Sequence, residues 1–518
     1  MGIYLNPGND LYLKTYNDKV FVDHSLLIEL TNKVNDTGDN MLCILRPRQF
    51  GKSTDVNMLV AYYSKGCDSK KLFDSLKISK SDSYLKHLNQ YQVIYLNMQQ
   101  FLSRNNDVQD MIQDLTESIY EELELKFENI KPRKMILSMI FERIYSLYSQ
   151  KFIFIIDEWD SPIRNKNISS NEQKYYLDFL RDLLKDKPYV SLAYMTGILP
   201  IKKFGTHNGL NMFEEISMID PGPYAQFMGF TEEVCDLCRQ HDVSFEDMKS
   251  WYDGYHLTDE ISTFSPRSVI MAVTRKEFGN YWTSTETYEA LKVYIDMNFD
   301  GLKDDVIELL SGESISVQTS SFQNDMTTFK LKDDVLTLLI HLGYLGYIKK
   351  EEKAYIPNRE VSSSFINSIE DSNWKETTKA LLNSRELLEA TWNKEEEKVA
   401  KYIEEAHLDT SILTYNNENA LAYTLSLAYI SARDHYTIIR EMPTGKGFAD
   451  LVFIPMSDKP AMIIEIKWDQ EVETAITQIK DKKYPKVLEH YKDNLLLVGI
   501  IYDRKTKEHV CRIVKVTD

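Results

Sequence analysis

Four short apolar runs mark the first two hundred residues: Leu42–Leu45, Val93–Met98, Phe152–Ile156 and Val190–Met195. Runs of this length with little polar alternation fit strands buried on both faces of a parallel sheet. Between them the spacing changes to three and four. Val108, Met111, Ile112, Leu115 and Ile119 share one helical face, and so do Tyr176, Phe179, Leu180, Leu183 and Leu184. Strands alternating with helices predict an α/β fold over residues 1–230: a parallel sheet with helices on both faces.

Residues 231–372 read as mainly helical. Near their end, a helix (Lys332–Leu342) is followed by two short strands, Tyr344–Ile348 and Ala354–Ile356, and then by a helix from about Asn358. That order is winged-helix-like, an arrangement that serves as a lid on a neighbouring core or as a DNA-binding module. A Glu- and Lys-rich helix (about Ser384–Ala406) leads into a third region, 375–518, with a core strand at Leu495–Tyr502.

At 518 residues the chain is too long for one core. Its net charge of −18 and pI near 5.2 argue against a protein held on nucleic acid by bulk electrostatics. The charge is uneven, however. From Ile479 onward ten Lys or Arg face six Asp or Glu, a local +4 that fits a phosphate-facing surface. The N-terminus lacks a basic start and an apolar core, and Val335–Ile348 is too short to span a bilayer. Five scattered cysteines suit a reducing cytoplasm. Cys235 and Cys238 have redox or zinc-site spacing, but no second pair lies near them, and structural thiols in a helix (Glu232–Gln240) are expected.

The first candidate chemistry follows the first apolar run. Arg46-Pro-Arg-Gln-Phe-Gly51-Lys52-Ser53 leads into a helical pattern. Strand, loop and helix in that order form a phosphate cradle. Gly51 lets the backbone approach, Lys52 reaches the β- and γ-phosphates, and Ser53 ligates Mg²⁺, with Arg48 and Thr54 alongside. Arg46 stands where the usual pattern has its first glycine. The third run ends in Asp157-Glu158, at the carboxyl end of a strand, where such sheets bind ligands. Asp157 is expected to hold Mg²⁺ and Glu158 to polarise the attacking water. Thr196, closing the fourth run, is placed to sense the γ-phosphate.

The second candidate lies in the third region. Gly447–Pro455 and Ala461–Lys467 flank a Ser/Asp/Pro turn, so an antiparallel hairpin is expected. A symmetric turn at 457.5 sets Asp450 opposite Glu465. Opposed residues share a face, and Lys467, two residues on, shares it too. Two carboxylates and an ammonium suit Mg²⁺ or Mn²⁺ and a water activated for attack on phosphate. A surface hairpin with a cross-strand ion pair is the alternative. Glu418 at a helix start is a further candidate metal ligand, and Gln478 lies on the following helix.

Together with Met195-Thr-Gly-Ile198 and Trp251-Tyr-Asp-Gly-Tyr255, these motifs resemble the bacterial AAA-ATPase-like proteins that carry a C-terminal PD-(D/E)XK nuclease superfamily domain. The resemblance implies a P-loop NTPase core of the additional-strand, catalytic-glutamate type (1–230), a helical lid with a winged-helix-like end (231–372) and a restriction-endonuclease-like α/β domain (375–518). Its nuclease motif would be Asp450 and Glu465-Ile-Lys467, with Glu418 upstream and Gln478 and Tyr484 downstream. The expectation is a cytoplasmic ATPase using ATP and Mg²⁺ (or Mn²⁺), whose nuclease-like domain acts on DNA or RNA. The alternative is a nucleotide-switched interaction protein whose nuclease-like domain only binds. No membrane partner is expected, and a homo-oligomer stays an open option.

Overall fold

The computed structural model describes every residue except 1, 132–133, 135, 202–209, 283–290, 292–298, 300, 311, 323–328, 371–374, 410–424, 426–427, 445–446, 457–458, 469–471, 482–487, 489–490, 492, 504–505, 507 and 517–518. The chain divides into two compact units, one of residues 1–282 and 316–357, the other of 283–315 and 358–518.

The first unit is built on a five-stranded sheet: β1 (Met41–Leu45), β2 (Gln92–Asn97), β3 (Phe152–Asp157), β4 (Val190–Gly197) and β5 (Glu214–Ile216). Its order is β2-β3-β4-β1-β5, and every pairing is parallel. All residues of β1, β3 and β4 are buried, which is why their sequences run apolar without alternation. β5 is not among the strands that the apolar runs predict: two of its three residues are exposed glutamates. Helices Val108–Glu124 and Ser170–Leu184 carry the predicted apolar faces. A Ser169–Glu172 capping box starts the second of them.

The order has one consequence for chemistry. β4 lies between β1 and β3, so the loop after β1 and the acidic end of β3 flank the Thr196 end of β4. Farther along the unit, helix Lys332–Leu342 ends at Gly343, which takes a left-handed φ of 87°. It is followed by the antiparallel strands Gly346–Ile348 and Lys353–Tyr355.

The second unit carries a mixed five-stranded sheet: β6 (Tyr436–Thr444), β7 (Gly447–Pro455), β8 (Ala461–Trp468), β9 (Leu495–Tyr502) and β10 (His509–Lys515). They lie side by side in that order. Only β8 and β9 are parallel. One face packs Leu451, Phe453, Ile464 and Ile466 against Leu387, Val399 and Ile403 of the preceding helices. The other packs Val452, Ile463 and Leu497 against Ile476 and Ile479 of helix Val472–Asp481. Strands β6 and β10 are absent from the sequence expectation. β10 alternates buried His509, Cys511 and Ile513 with Val510 and Arg512, so it has no continuous apolar run.

The single helix expected over about Ser384–Ala406 is two: Lys375–Trp392 and Glu396–Asp409. Lys394 sits in the left-handed region at φ 59°. The N–H of Glu395 reaches back 2.9 Å to Ala390 O, closing a Schellman-like cap. The break turns Leu387, Leu388, Val399 and Ile403 onto one core. Without a glycine at 394, periodicity alone runs through it. Cys235 and Cys238 lie on helix Glu233–His241, and all five cysteines are free thiols.

Candidate functional site

The loop after β1 turns into helix α1 (Lys52–Tyr63) at Gly51, whose φ of 82° is a left-handed conformation that favours glycine. Lys52 is buried, and its Nζ donates to two carbonyls of its own loop, Arg46 O at 3.0 Å and Pro47 O at 2.8 Å. The loop is therefore wrapped around the lysine. Burial pushes the Lys52 ammonium down to about 8, against the opposing pull of Glu158 and Asp160.

Asp157, buried at the end of β3, gathers the neighbouring elements. Ser53 Oγ on α1 donates to its Oδ2 at 2.9 Å, and Thr196 Oγ1 on β4 donates to its Oδ1 at 2.5 Å. Asn97, ending β2, lies at 3.4 Å from Oδ2. A hydroxyl and a carboxylate on adjoining elements are the hard oxygen donors that Mg²⁺ prefers, so this set fits the ion.

Glu158 follows in the left-handed region at φ 54°, a strained backbone for a glutamate. Its carboxylate pairs with Arg164, whose Nε also lies 3.1 Å from Asp160 Oδ2. That same oxygen accepts the N–H groups of Ile198 and Leu199 at 3.0 and 2.9 Å. Arg164 thus ties the glutamate to the chain leaving β4. Burial raises the Glu158 carboxyl above its ordinary value, although Lys52 and Arg164 both oppose this.

Arg46 takes the place of a glycine, and its side chain is buried against protein partners. It is 1% exposed. Its guanidinium donates to Asp55 Oδ2 at 2.5 Å, Phe227 O at 2.6 Å and Phe50 O at 3.2 Å. His24 Nδ1 lies 3.4 Å from the other Asp55 oxygen. Burial alone would raise the Asp55 carboxyl, yet Arg46 and His24 outweigh it and hold the group below its ordinary value. Arg48 is exposed on the loop, Gly51 and Thr54 are half-buried, and Ser53 is exposed. Sequence reasoning missed Asn97, Asp160 and Arg164. Asp160 stands in the Asp157–Asp160 run and could have been found there, whereas no pattern singles out Asn97.

In the second unit, β7 and β8 pair Leu451 with Ile464, Val452 with Ile463 and Phe453 with Met462. Continued by one residue, that register sets Asp450 opposite Glu465, as the turn midpoint predicts. Asp450 Oδ2 accepts the Ile466 N–H at 2.8 Å. Glu465 is fully buried, and its Oε1 lies 3.4 Å from Lys467 Nζ. Gly499 of β9 pairs with Glu465. A Cβ there would meet Ala475 at 3.0 Å, so the missing side chain lets helix Val472–Asp481 lie close. Glu418 and Tyr484 fall outside the described residues, as does the side chain of Gln478. Among the described residues no cluster of three or more His, Cys, Asp or Glu is arranged as a metal site. The two carboxylates present are oxygen donors of the right kind for Mg²⁺ or Mn²⁺.

The first unit is thus a P-loop ATPase-type core, and the second a mixed-sheet α/β domain bearing opposed carboxylates. Comparison with known families agrees. Residues 13–206 match the family described as "Predicted AAA-ATPase", and residues 416–511 match the PD-(D/E)XK nuclease superfamily. The chain carries an AAA-ATPase-like domain followed by a PD-(D/E)XK nuclease superfamily domain. Among solved structures it is similar to the Walker-type ATPase PABY2304 of Pyrococcus abyssi, at 13% identity and TM-score 0.34 over 68% of this chain and 97% of that one. It is also similar to Cdc6p of Pyrobaculum aerophilum (10%, TM-score 0.28, 70% and 98%) and to the ORC2 protein of Aeropyrum pernix (9%, TM-score 0.30, 69% and 97%). A search of curated proteins found no match. No helix among the described residues is long and apolar enough to cross a membrane.

Proposed function

We propose that the chain binds and hydrolyses ATP at Lys52, Ser53 and Asp157, and that its nucleotide state governs a metal-dependent nuclease centred on Asp450, Glu465 and Lys467. The observation that carries the nucleotide reading is the shared Asp157 carboxylate, bonded to Ser53 on one side and to Thr196 on the other. Mg²⁺ bound by Ser53 and Asp157 would neutralise charge on the β- and γ-phosphates. Lys52 meets those phosphates after leaving its loop carbonyls, Thr196 holds Asp157 in place, and Glu158 orients the attacking water. Arg48, Gly51 and Thr54 complete the cradle.

In the second unit, Asp450 and Glu465, with Glu418 as a further ligand, would hold Mg²⁺ or Mn²⁺, and Lys467 would orient a water against a phosphodiester of DNA or RNA. The expected setting is the cytoplasm. In the second reading, a nucleotide-switched interaction protein, the nuclease-like domain only binds. The existing Lys467–Glu465 ion pair favours that reading to the extent that it balances the site without a metal.

Four proteins separate these readings. Lys52→Ala should abolish ATP binding, and Glu158→Gln should bind ATP without hydrolysing it. Lys467→Ala should keep ATP hydrolysis and lose metal-dependent cleavage of DNA and RNA. Unchanged ATP affinity in Lys52→Ala would sink the nucleotide assignment. A wild-type protein that hydrolyses ATP but cleaves neither nucleic acid with Mg²⁺ or Mn²⁺ would leave the binding-only reading.

A further inference from the structure

The motif Trp251-Tyr-Asp-Gly-Tyr255 has no part in the chemistry above, yet the first unit brings it to the back of the cradle. The Tyr255 ring lies edge-on to Phe50 of the loop, with centroids 5.4 Å apart and planes at 88°. Its hydroxyl donates to Gly343 O at 2.7 Å. Trp282, 1% exposed, packs on the same Phe50 at 6.2 Å, and its Nε1 donates to Arg48 O at 2.9 Å. Gly343 itself approaches Pro47 so closely that a Cβ there would come within 2.8 Å of the proline ring. Pro47, Arg48 and Phe50 are thus each gripped from behind.

The wall is itself anchored. Gly254 has a φ of 102°, and a Cβ there would collide with the Pro357 carbonyl. Tyr355 donates its hydroxyl to Gly254 O at 2.8 Å and accepts the His256 N–H at 3.0 Å. Tyr252 is fixed in the same way, exchanging hydrogen bonds with Gly279 at 2.9 and 3.0 Å.

This matters because the loop holds few glycines. A glycine-rich cradle can mould itself to phosphate, whereas residues 46–50 here are Arg, Pro, Arg, Gln and Phe. Their shape must be set from outside, and preorganising a binding loop lowers the ordering cost that binding otherwise meets. We propose that Tyr255 and Trp282 are positioning residues for ATP. They fix the conformation of Pro47–Phe50 in which its backbone can receive phosphates, and they touch neither nucleotide nor metal. The inference rests on the nucleotide reading and names residues that the reading leaves unused.

The test is steady-state ATP hydrolysis by the full chain as wild type, Tyr255→Leu, Tyr255→Phe and Trp282→Phe, with thermal melts alongside. An aromatic pair is worth about 0.5–1.5 kcal/mol, so Tyr255→Leu should raise KM for ATP about two- to tenfold. Its kcat should stay within about twofold, because Asp157 and Glu158 are untouched. Trp282→Phe should raise KM as well, through the lost bond to Arg48 O. Tyr255→Phe keeps the ring on Phe50 and should recover most of the loss. A merely structural role would instead lower the melting temperature and kcat together at unchanged KM, and that pattern overturns the inference. If Tyr255→Leu does not fold, unchanged KM in Trp282→Phe overturns it equally. A wild type that neither binds nor hydrolyses ATP overturns the nucleotide reading and this inference with it. ATP turnover by the wild type with no change of KM in the variants overturns the inference alone.

Discussion

Restoring the ordinary glycine at the start of the cradle should damage this protein. Arg46→Gly removes a guanidinium that is fully buried and bonded to Asp55, Phe227 O and Phe50 O. The larger loss is what remains: Asp55, 1% exposed, keeps its charge without its main partner. Removing one member of a buried ion pair costs about 3–5 kcal/mol, most of it from the uncompensated charge. Neither side chain is screened by solvent. With about 2.1 cal/mol/K of unfolding entropy per residue over a unit of roughly 320 residues, the melting temperature should fall by about 4–7 °C. The pH dependence carries the sign. In the wild type Asp55 sits below its ordinary value. Its pairing therefore stabilises above the unfolded carboxylate range and is lost as the pH falls through the folded value. In Arg46→Gly burial dominates and the carboxyl moves up, so the deficit should be largest near neutral pH and shrink on acidification. Adding Asp55→Asn to Arg46→Gly should recover part of the loss, a coupling that a double-mutant cycle reads directly. The assay is urea unfolding and thermal melting at pH 5.5 and 7.5. A deficit below about 1 kcal/mol, or one that grows toward acid, would refute the reasoning.

Three further outcomes are expected. Lys52 is held at about 8, and bound phosphates should favour its charged form, so ATP affinity should be level below that pH and weaken by up to about tenfold per pH unit above it. Titration calorimetry at pH 7, 8.5 and 9.5 checks this, and an alkaline-independent affinity counts against it. Gly197→Ala would set a Cβ 2.6 Å from the Trp159 indole and 3.0 Å from Asp160 Oδ1, which should cost about 1–3 kcal/mol and lower ATP turnover. Mn²⁺ at a hundredfold excess over its Kd should stabilise the second unit by about 2.7 kcal/mol, and Asp450→Asn should remove that gain. Equal melting of both proteins with and without Mn²⁺ counts against a metal there.

The parts of the fold that sequence reveals are those whose information is local. Strands β1, β3 and β4 show as apolar runs because burial on both faces removes alternation. The register of β7 and β8 follows from the turn because antiparallel pairing keeps the sum of partner numbers constant: Leu451 with Ile464 and Phe453 with Met462 both imply Asp450 with Glu465. Strand order is different. β4 lies between β1 and β3 through contacts far apart in the chain, and no local pattern shows that order. The back of the cradle is non-local too. Arg46 meets Phe227 across 181 residues and Arg48 meets Trp282 across 234. A substitution that reads as a defect in the motif is therefore a bolt, visible only once its partners are in place.

At the second site charge alone does not decide whether a metal binds. Two carboxylates face to face call for a proton or a cation, and a divalent ion is one way to supply it. Lys467 at 3.4 Å from Glu465 is already a cation, and Asp450 is further relieved by the Ile466 N–H. Two carboxylates and one ammonium leave a net charge of −1, which the protein can tolerate beside one half-buried member. Repulsion alone therefore does not require a metal. What argues for one is the asymmetry of the pair. Glu465 is fully buried while Asp450 is partly open, so a hard cation could take one ligand from the sheet interior and the other from its surface. In that arrangement Lys467 would give up part of its hold on Glu465 and turn toward the phosphate. The metal would then compete with Lys467 for one carboxylate, and the outcome of that competition separates a nuclease from a domain that only binds.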